Sequence, residues 1–229
     1  MYDVIDIKTQ SLSSLLSDHQ VCEFCRVVDR DKERCRTGYR CPICSSESKG
    51  GVLYFEFTVG ATIDLMQEAF HSELKQDPNE GKWDAGKDAH NISVVIFFCT
   101  LRELLLNNLI RELCGAQKIP KLIYERLISD NKFHIMKQNN LLPSLIDSKW
   151  LDAISVINTM HEMDYIELNQ FIEKAVKARN KFMHEGNKFS IPLDMGEECM
   201  HHIWPLINLF IGLHNHYVHP YFIRSKNNQ

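Results

Sequence analysis

Several features that would classify a chain at once are missing here. The opening MYDVIDIKTQSL carries acidic residues where a secretory signal needs a basic stretch followed by an apolar core, so no signal peptide is expected. The most apolar stretch, Ile92 to Ile110, contains Arg102, Glu103, Asn107 and Asn108, and its uncharged run ends at Leu101 after ten residues. A bilayer span needs about 20 apolar residues. The expectation is a core helix, no membrane contact and a cytoplasmic location. No excess of basic charge is present either: 26 Lys and Arg stand against 30 Asp and Glu, for a net charge of −4. Global attraction to nucleic acid is thereby excluded, and any basic surface has to be local. Neither internal repeats nor low-complexity segments occur. What remains is a globular composition, 44% hydrophobic and 24% charged over 229 residues. That suits one medium domain with a small module, or two small domains.

The cysteines are not spread as a secreted disulfide framework would spread them. Five of the eight (Cys22, Cys25, Cys35, Cys41 and Cys44) fall within 23 residues, while Cys99, Cys114 and Cys199 lie singly in apolar helical stretches. Clustered pairs point to metal ligands in a reducing compartment. Cys22-Glu-Phe-Cys25 and Cys41-Pro-Ile-Cys44 are separated by 15 residues. Each C-x-x-C puts two thiolates on one tight turn, and two such turns close a tetrahedron around Zn²⁺. Four thiolates leave no open position for water, so this zinc is expected to be structural. Cys35 fits neither pair. Between the pairs, Arg30 to Arg40 holds five basic residues, two acidic ones and Tyr39. This loop either contacts RNA phosphates or is a solvated charged surface.

The chain divides by periodicity. Residues 1–20 read as a lead-in with a short helix near Ser11–Asp18. Residues 21–59, with Gly50-Gly51 and the alternating stretch from Val52 to Phe57, read as a small zinc-stabilised β knuckle or ribbon. The expected boundary is 1–59 for this module and 60–229 for a helical domain. Helices are expected at Ala61–Leu74, with Ile63, Met66, Ala69 and Phe70 on one face. A polar loop follows at 77–87, then a long helix from Lys87 to Leu113 capped by Gly115. Further helices are expected around Leu122–Ile128, at an element opened by Pro143 near Leu145–Ile157, at Ile166–His184 with Gly186 as its stop, and at Gly196–Tyr217 with a kink at Pro205. A mainly α helical bundle is the expected architecture. Trp83, Trp150 and Trp204 are expected to pack.

One string carries chemistry: Ala178-Arg179-Asn180-Lys181-Phe182-Met183-His184-Glu185-Gly186. Asn180 and His184 stand i,i+4 and share a helix face. Arg179 sits about 140° away around the helix from His184, within reach of the same cleft through its long side chain. Arg can bind or stabilise a phosphoryl group, and His can move a proton near neutral pH. The alternative is that Arg and His cap the last carbonyls and complement the helix dipole. Arg102-Glu103 is a second clue, since charges in an apolar surround need partners. Glu103 either holds Arg179 or His184, or forms a local ion pair at a helix edge. His201, His202, His214, His216 and His219 lie at or after the last helix, without metal-ligand spacing, and read as a polar face or as RNA contacts.

Arg-Asn followed by three residues and His, late in an amphipathic helix of an all-α domain, resembles the HEPN superfamily (higher eukaryotes and prokaryotes nucleotide-binding). The resemblance covers residues 61–220 as an architecture and this motif in particular. It implies a metal-independent endoribonuclease working as a homodimer, with two motifs facing one cleft. It also implies a role in toxin–antitoxin, abortive-infection or related phage-defence systems, with a cognate antitoxin or defence partner. Arg179 would position phosphate, His184 would serve acid–base chemistry at the ribose 2′-hydroxyl or leaving oxygen, and Asn180 would orient the site. A non-catalytic RNA- or protein-binding adaptor is the other function compatible with these residues.

Overall fold

Short β-type runs around the cysteine pairs and long apolar periodic stretches beyond them build two kinds of structure. A computed structural model describes residues 16, 18–30, 39–48, 52–74 and 85–220. Cys35, most of the basic loop, Trp83 and most of the lead-in lie outside the described residues. The N-terminal part forms strands β1 (His19–Val21), β2 (Val28–Arg30), β3 (Tyr39–Arg40), β4 (Glu47–Ser48) and β5 (Val52–Leu53). Strands β2-β1-β5 make one antiparallel sheet, with Gln20 opposite both Asp29 and Leu53, and β3-β4 make a second.

The remainder is helical: α1 (Phe57–Leu74), α2 (Ala85–Ala116), α3 (Lys121–Asp130), α4 (His134–Met136), a π turn (Lys137–Leu141), α5 (Leu142–Ile146), α6 (Trp150–His161), α7 (Tyr165–Glu185) and α8 (Met195–Tyr217). Helix α2 is apolar nearly all round, so it is stable only when surrounded. Helices α1, α7 and α8 pack along it. Val94, Phe98, Leu101, Leu106 and Ile110 are fully enclosed. Each such side chain contributes roughly 1.5–3 kcal/mol. Among the described residues, one helical segment, Ala89–Ala116, is long and apolar enough to cross a membrane, but 56% of its most apolar window is already buried against neighbouring elements.

Three sequence expectations shift. The alternating stretch after Val52 is strand only as far as Leu53; Phe57 already starts α1, so the expected boundary at residue 60 falls inside that helix. Gly115 does not cap α2. The helix runs through it, and Lys118 takes the left-handed conformation (φ 58) while Ile119 N–H closes onto the Cys114 carbonyl at 2.9 Å. The expected Pro143 element is two helices, because Asp147 turns left-handed (φ 52) between α5 and α6. Helix α7 has the expected ends. Asp164 accepts the Glu167 N–H at 2.9 Å, and Gly186 (φ 63) returns its N–H to the Phe182 carbonyl at 2.8 Å. Pro205 is accommodated within α8.

The cysteine module is fused to the bundle. Leu16, Val21, Val28, Tyr54 and Phe55 belong to the same apolar core as α2 and α8, and only Cys22, Cys25, Val27 and Cys41 form a separate cluster. Polar contacts complete the joint. His214 Nε2–H donates to the Arg26 carbonyl at 2.7 Å, and His219 Nδ1 meets the Cys25 carbonyl at 2.6 Å. Asn215 exchanges two hydrogen bonds with the Val28 backbone, and Arg26 pairs with Glu112 on α2 at 2.6 Å. Two of the C-terminal histidines are therefore structural fasteners rather than a polar face or RNA contacts.

Candidate functional site

Two groups of side chains carry chemistry, one on the N-terminal turns and one where α2 meets α7. In the first, each C-x-x-C folds into the same turn. Cys22 N–H bonds to the Val27 carbonyl and Arg26 N–H to the Cys22 carbonyl; Cys41, Ser46 and Ser45 repeat the pattern. The residue after each pair, Arg26 (φ 60) or Ser45 (φ 56), is left-handed, which costs roughly 1–2 kcal/mol in a non-glycine residue. The turn aims backbone donors at sulfur: Cys25 N–H reaches Cys22 Sγ and Cys44 N–H reaches Cys41 Sγ, both at 3.5 Å.

Facing each other, the turns bring Cys22 and Cys44 Sγ to 3.6 Å, Cys25 and Cys41 Sγ to 3.6 Å, and all four sulfurs within 4.8 Å. A tetrahedron with metal–sulfur bonds of about 2.3 Å has edges of about 3.8 Å, so the spacing fits a metal ion. Among the described residues this is the single group of three or more His, Cys, Asp or Glu close enough to share one. Without a cation the thiols divide. Burial pushes Cys25 and Cys41 up, while at Cys44 burial is outweighed by hydrogen bonds, led by the Ser46 hydroxyl, which bring it down to about 6. A dication would let all four ionise together. Cys99, Cys114 and Cys199, by contrast, are enclosed in the bundle and held protonated by burial.

The second group sits at the C-terminal half of α7. Arg179 Nη2 donates to Glu103 Oε1 at 2.9 Å, which decides between the alternatives open for Glu103: it anchors Arg179. Asn180 follows on the face that carries Glu173, Val176 and Lys177, and His184 comes one turn later, exposed to solvent. Arg102, the neighbour of Glu103, points elsewhere. It is buried, and its Nη2 donates to Gln138 Oε1 on the π turn. Burial lowers its pKa, and the Glu103 and Glu173 carboxylates favour its charge; a guanidinium stays protonated under such opposing influences.

The chain matches no protein family, no curated protein and no solved structure with which it was compared. The geometry alone therefore carries the site.

Two members of this site had no signal in the sequence. His134, at the start of α4, is half-buried and its pKa is lowered, first by burial and then by Arg102. It is a neutral imidazole at pH 7. Lys137 Nζ donates to Asn107 Oδ1 at 2.8 Å, and burial lowers its pKa. Both lie in the polar segment after α3, where no periodicity marks a site, His134 opening α4 and Lys137 opening the π turn. Of the described ends of the basic loop, Arg30 turns inward and Arg40 stays on the surface. Arg30 lies over the Trp204 ring at 5.3 Å, and Arg40 is 4.0 Å from Glu47. Trp150 and Trp204 pack as expected, with Trp150 Nε1–H donating to Asn169 Oδ1 at 2.9 Å.

Proposed function

We propose that this protein is a HEPN-type endoribonuclease with a structural zinc site at Cys22, Cys25, Cys41 and Cys44. The observation that carries the catalytic reading is the Glu103–Arg179 pair beside Asn180 and His184. A carboxylate fixing one edge of a guanidinium holds its remaining donors for a phosphate, and a solvent-exposed histidine one turn on is free to exchange protons. The reaction is transesterification: His184 accepts the ribose 2′-OH proton, the 2′-oxygen attacks phosphorus, the P–O5′ bond breaks, and the leaving 5′-oxygen takes up a proton from the protonated His184 or from water. The products are a cyclic phosphate and a 5′-OH, and Arg179 stabilises charge on the phosphoryl oxygens. Asn180 orients this set. No step requires a metal ion.

The chain acts as a homodimer, with exposed Met183 and Phe189 beside the motif supplying apolar contact area. Its setting is cytoplasmic, in toxin–antitoxin or phage-defence biology, with a cognate antitoxin or defence-system partner. Zinc is favoured at the thiolate site because a closed tetrahedral sulfur set suits a d¹⁰ ion with no redox demand.

The test is cleavage of a fluorescent RNA by zinc-saturated protein in magnesium-free buffer. Wild type should release 5′-OH and cyclic-phosphate ends, and His184→Ala and Arg179→Ala should each lose at least about 100-fold in rate, the scale of one general acid–base or charge-stabilising group. Cleavage by His184→Ala at the wild-type rate would overturn the assignment. Tight RNA binding without cleavage would favour the adaptor.

A further inference from the structure

The four sulfurs of the cysteine turns are chemically unequal. Cys22, Cys25 and Cys41 are buried, at 1%, 3% and 1% exposure, whereas Cys44 is exposed. Two short sulfur–sulfur contacts run from one turn to the other, Cys22 to Cys44 and Cys25 to Cys41, each at 3.6 Å. Their surroundings differ. Cys25 and Cys41 lie in the small apolar cluster with Val27. Ser46 spans the other pair, with its Oγ 2.9 Å from Cys44 Sγ and 3.4 Å from Cys22 Sγ. Solvent thus reaches one corner of the tetrahedron, and Cys22 is the buried sulfur that meets this corner from the opposite turn. To reach disulfide length the two sulfurs need to close by about 1.5 Å. The remaining described cysteines, Cys99, Cys114 and Cys199, are enclosed in the bundle and out of reach of a solute.

We propose that Cys44 is a site of oxidative modification by peroxides, resolved by Cys22 into a disulfide between the turns that discharges the metal. The Cys44 thiolate attacks one peroxide oxygen. An S–O bond forms, the O–O bond breaks, hydroxide leaves, and Cys44 becomes a sulfenic acid. The Cys22 thiolate then attacks that sulfur, the S–S bond forms, and a second hydroxide leaves. Two protons from solvent turn both hydroxides into water, so two thiolates have given two electrons to one peroxide. Cys25 and Cys41 are left as half of the four-ligand set that a structural zinc needs, and the chain no longer holds the ion. Thiol–disulfide exchange with a reducing thiol pool returns all four thiolates. The effect reaches the bundle through Arg26, the residue after Cys25. Its side chain pairs with Glu112 on α2, and its carbonyl takes the His214 ring proton from α8. The metal clamp beside this joint is closed only while Cys44 is reduced. This inference rests on the metal reading of the cysteine site and is independent of the ribonuclease reading.

The test uses full-length, zinc-loaded protein carrying Cys35→Ser, since Cys35 belongs to neither pair and lies outside the described residues. Hydrogen peroxide is added in steps. Zinc release is followed with a chromogenic chelator, and disulfides are mapped by peptide mass spectrometry after free thiols are blocked. Zinc should leave in step with a Cys22–Cys44 link lighter by two hydrogens. That link should precede any Cys25–Cys41 link, with Cys99, Cys114 and Cys199 still free, and reductant with added zinc should reverse it. Cys44→His keeps a fourth metal ligand and removes the oxidisable sulfur from the exposed corner. It should hold zinc and release it to peroxide about ten-fold or more slowly. Four results would overturn the proposal: a first link within one turn, a first link at Cys25–Cys41, release at the wild-type rate from zinc-loaded Cys44→His, or zinc retained under peroxide that fully oxidises free cysteine in the same buffer. Should Cys44→His bind no zinc, the order of links in the Cys35→Ser protein decides. That order is read whether or not the protein cleaves RNA, so failure here and failure of the ribonuclease reading are told apart.

Discussion

Acid should loosen the joint between cysteine module and bundle through one residue, His214. Its ring is fully buried, stacked edge-on against Tyr54 with centroids 4.8 Å apart, and its Nε2–H donates to the Arg26 carbonyl at 2.7 Å. That bond fixes the neutral tautomer with the proton on Nε2, leaving Nδ1 buried and without a partner among the described residues. Burial lowers its pKa to about 4, against an ordinary value of 6.5, despite the Arg26 carbonyl favouring the charged form. Below pH 6.5 the unfolded chain binds a proton at this position that the folded chain refuses, so stability rises with pH across the window from 4 to 6.5. The gap of about 2.5 units corresponds to about 3 kcal/mol in full, of which about 2 kcal/mol is lost by pH 5. His214→Gln keeps a donor near the Arg26 carbonyl and removes the titration. Urea melts of wild type and His214→Gln at steps from about pH 7.5 to 4.5 should show a wild-type slope steeper by up to one proton, about 1.4 kcal/mol per pH unit. Metal release in acid is common to both proteins and cancels in the difference. Parallel stability curves would refute the reasoning.

Three further outcomes follow from named contacts. Glu103→Gln keeps the shape of the Arg179 partner and removes its charge, so cleavage should fall at least several-fold with little change in melting temperature; unchanged kcat would mean the pair is an incidental surface contact. Gly115 lies inside α2 with open space where an alanine methyl would stand, whereas Gly186 closes α7 at φ 63. Gly115→Ala should therefore stabilise by about 0.5–1 kcal/mol and Gly186→Ala destabilise by about 1 kcal/mol in thermal melts, and the reverse order would contradict both helix ends. Elemental assay of the purified protein should find one zinc per chain, lost in Cys25→Ser and Cys41→Ser, with a lower melting temperature that spreads into the bundle because Val21 and Val28 belong to its core.

Local rules made some of this legible and long-range geometry hid the rest. The thiolate set could be read because two residues of spacing and 15 of separation constrain the metal geometry directly. The C-terminal end of α7 was legible because Gly186 acts within one turn of itself. Gly115 misled for the opposite reason: the enclosed Leu113 and Cys114 just before it hold the helix in the core past a residue that would end it in isolation. Glu103 was ambiguous because its partner is 76 residues away. His214 and His219 looked like one polar stripe, yet their partners are backbone carbonyls at Arg26 and Cys25, and a carbonyl leaves no trace in a sequence. His134 and Lys137 were hidden because their surroundings come from α2, some 30 residues earlier in the chain, and the short polar elements that carry them have no apolar period.

Helix α2 explains why these pieces occur together in one molecule. Its apolar surface makes it the rod on which the bundle packs, so every charge it carries must be justified by a partner. Arg102 answers to Gln138, Glu103 to Arg179, and Glu112 to Arg26 beside the cysteine turns. From Glu103 to Glu112 the rod advances by about 13–14 Å at about 1.5 Å per residue. The cysteine module thus grips α2 two to three turns from the place where α2 fixes the arginine of the α7 motif. Such a grip stabilises the rod's position without requiring a second arrangement of it. A coupling that switched activity would need two discrete packings, and a helix with its apolar residues enclosed along most of its length has room for one. A metal on the cysteine turns would therefore serve the proposed site by holding the scaffold that aims Glu103 at Arg179 and Arg102 at Gln138.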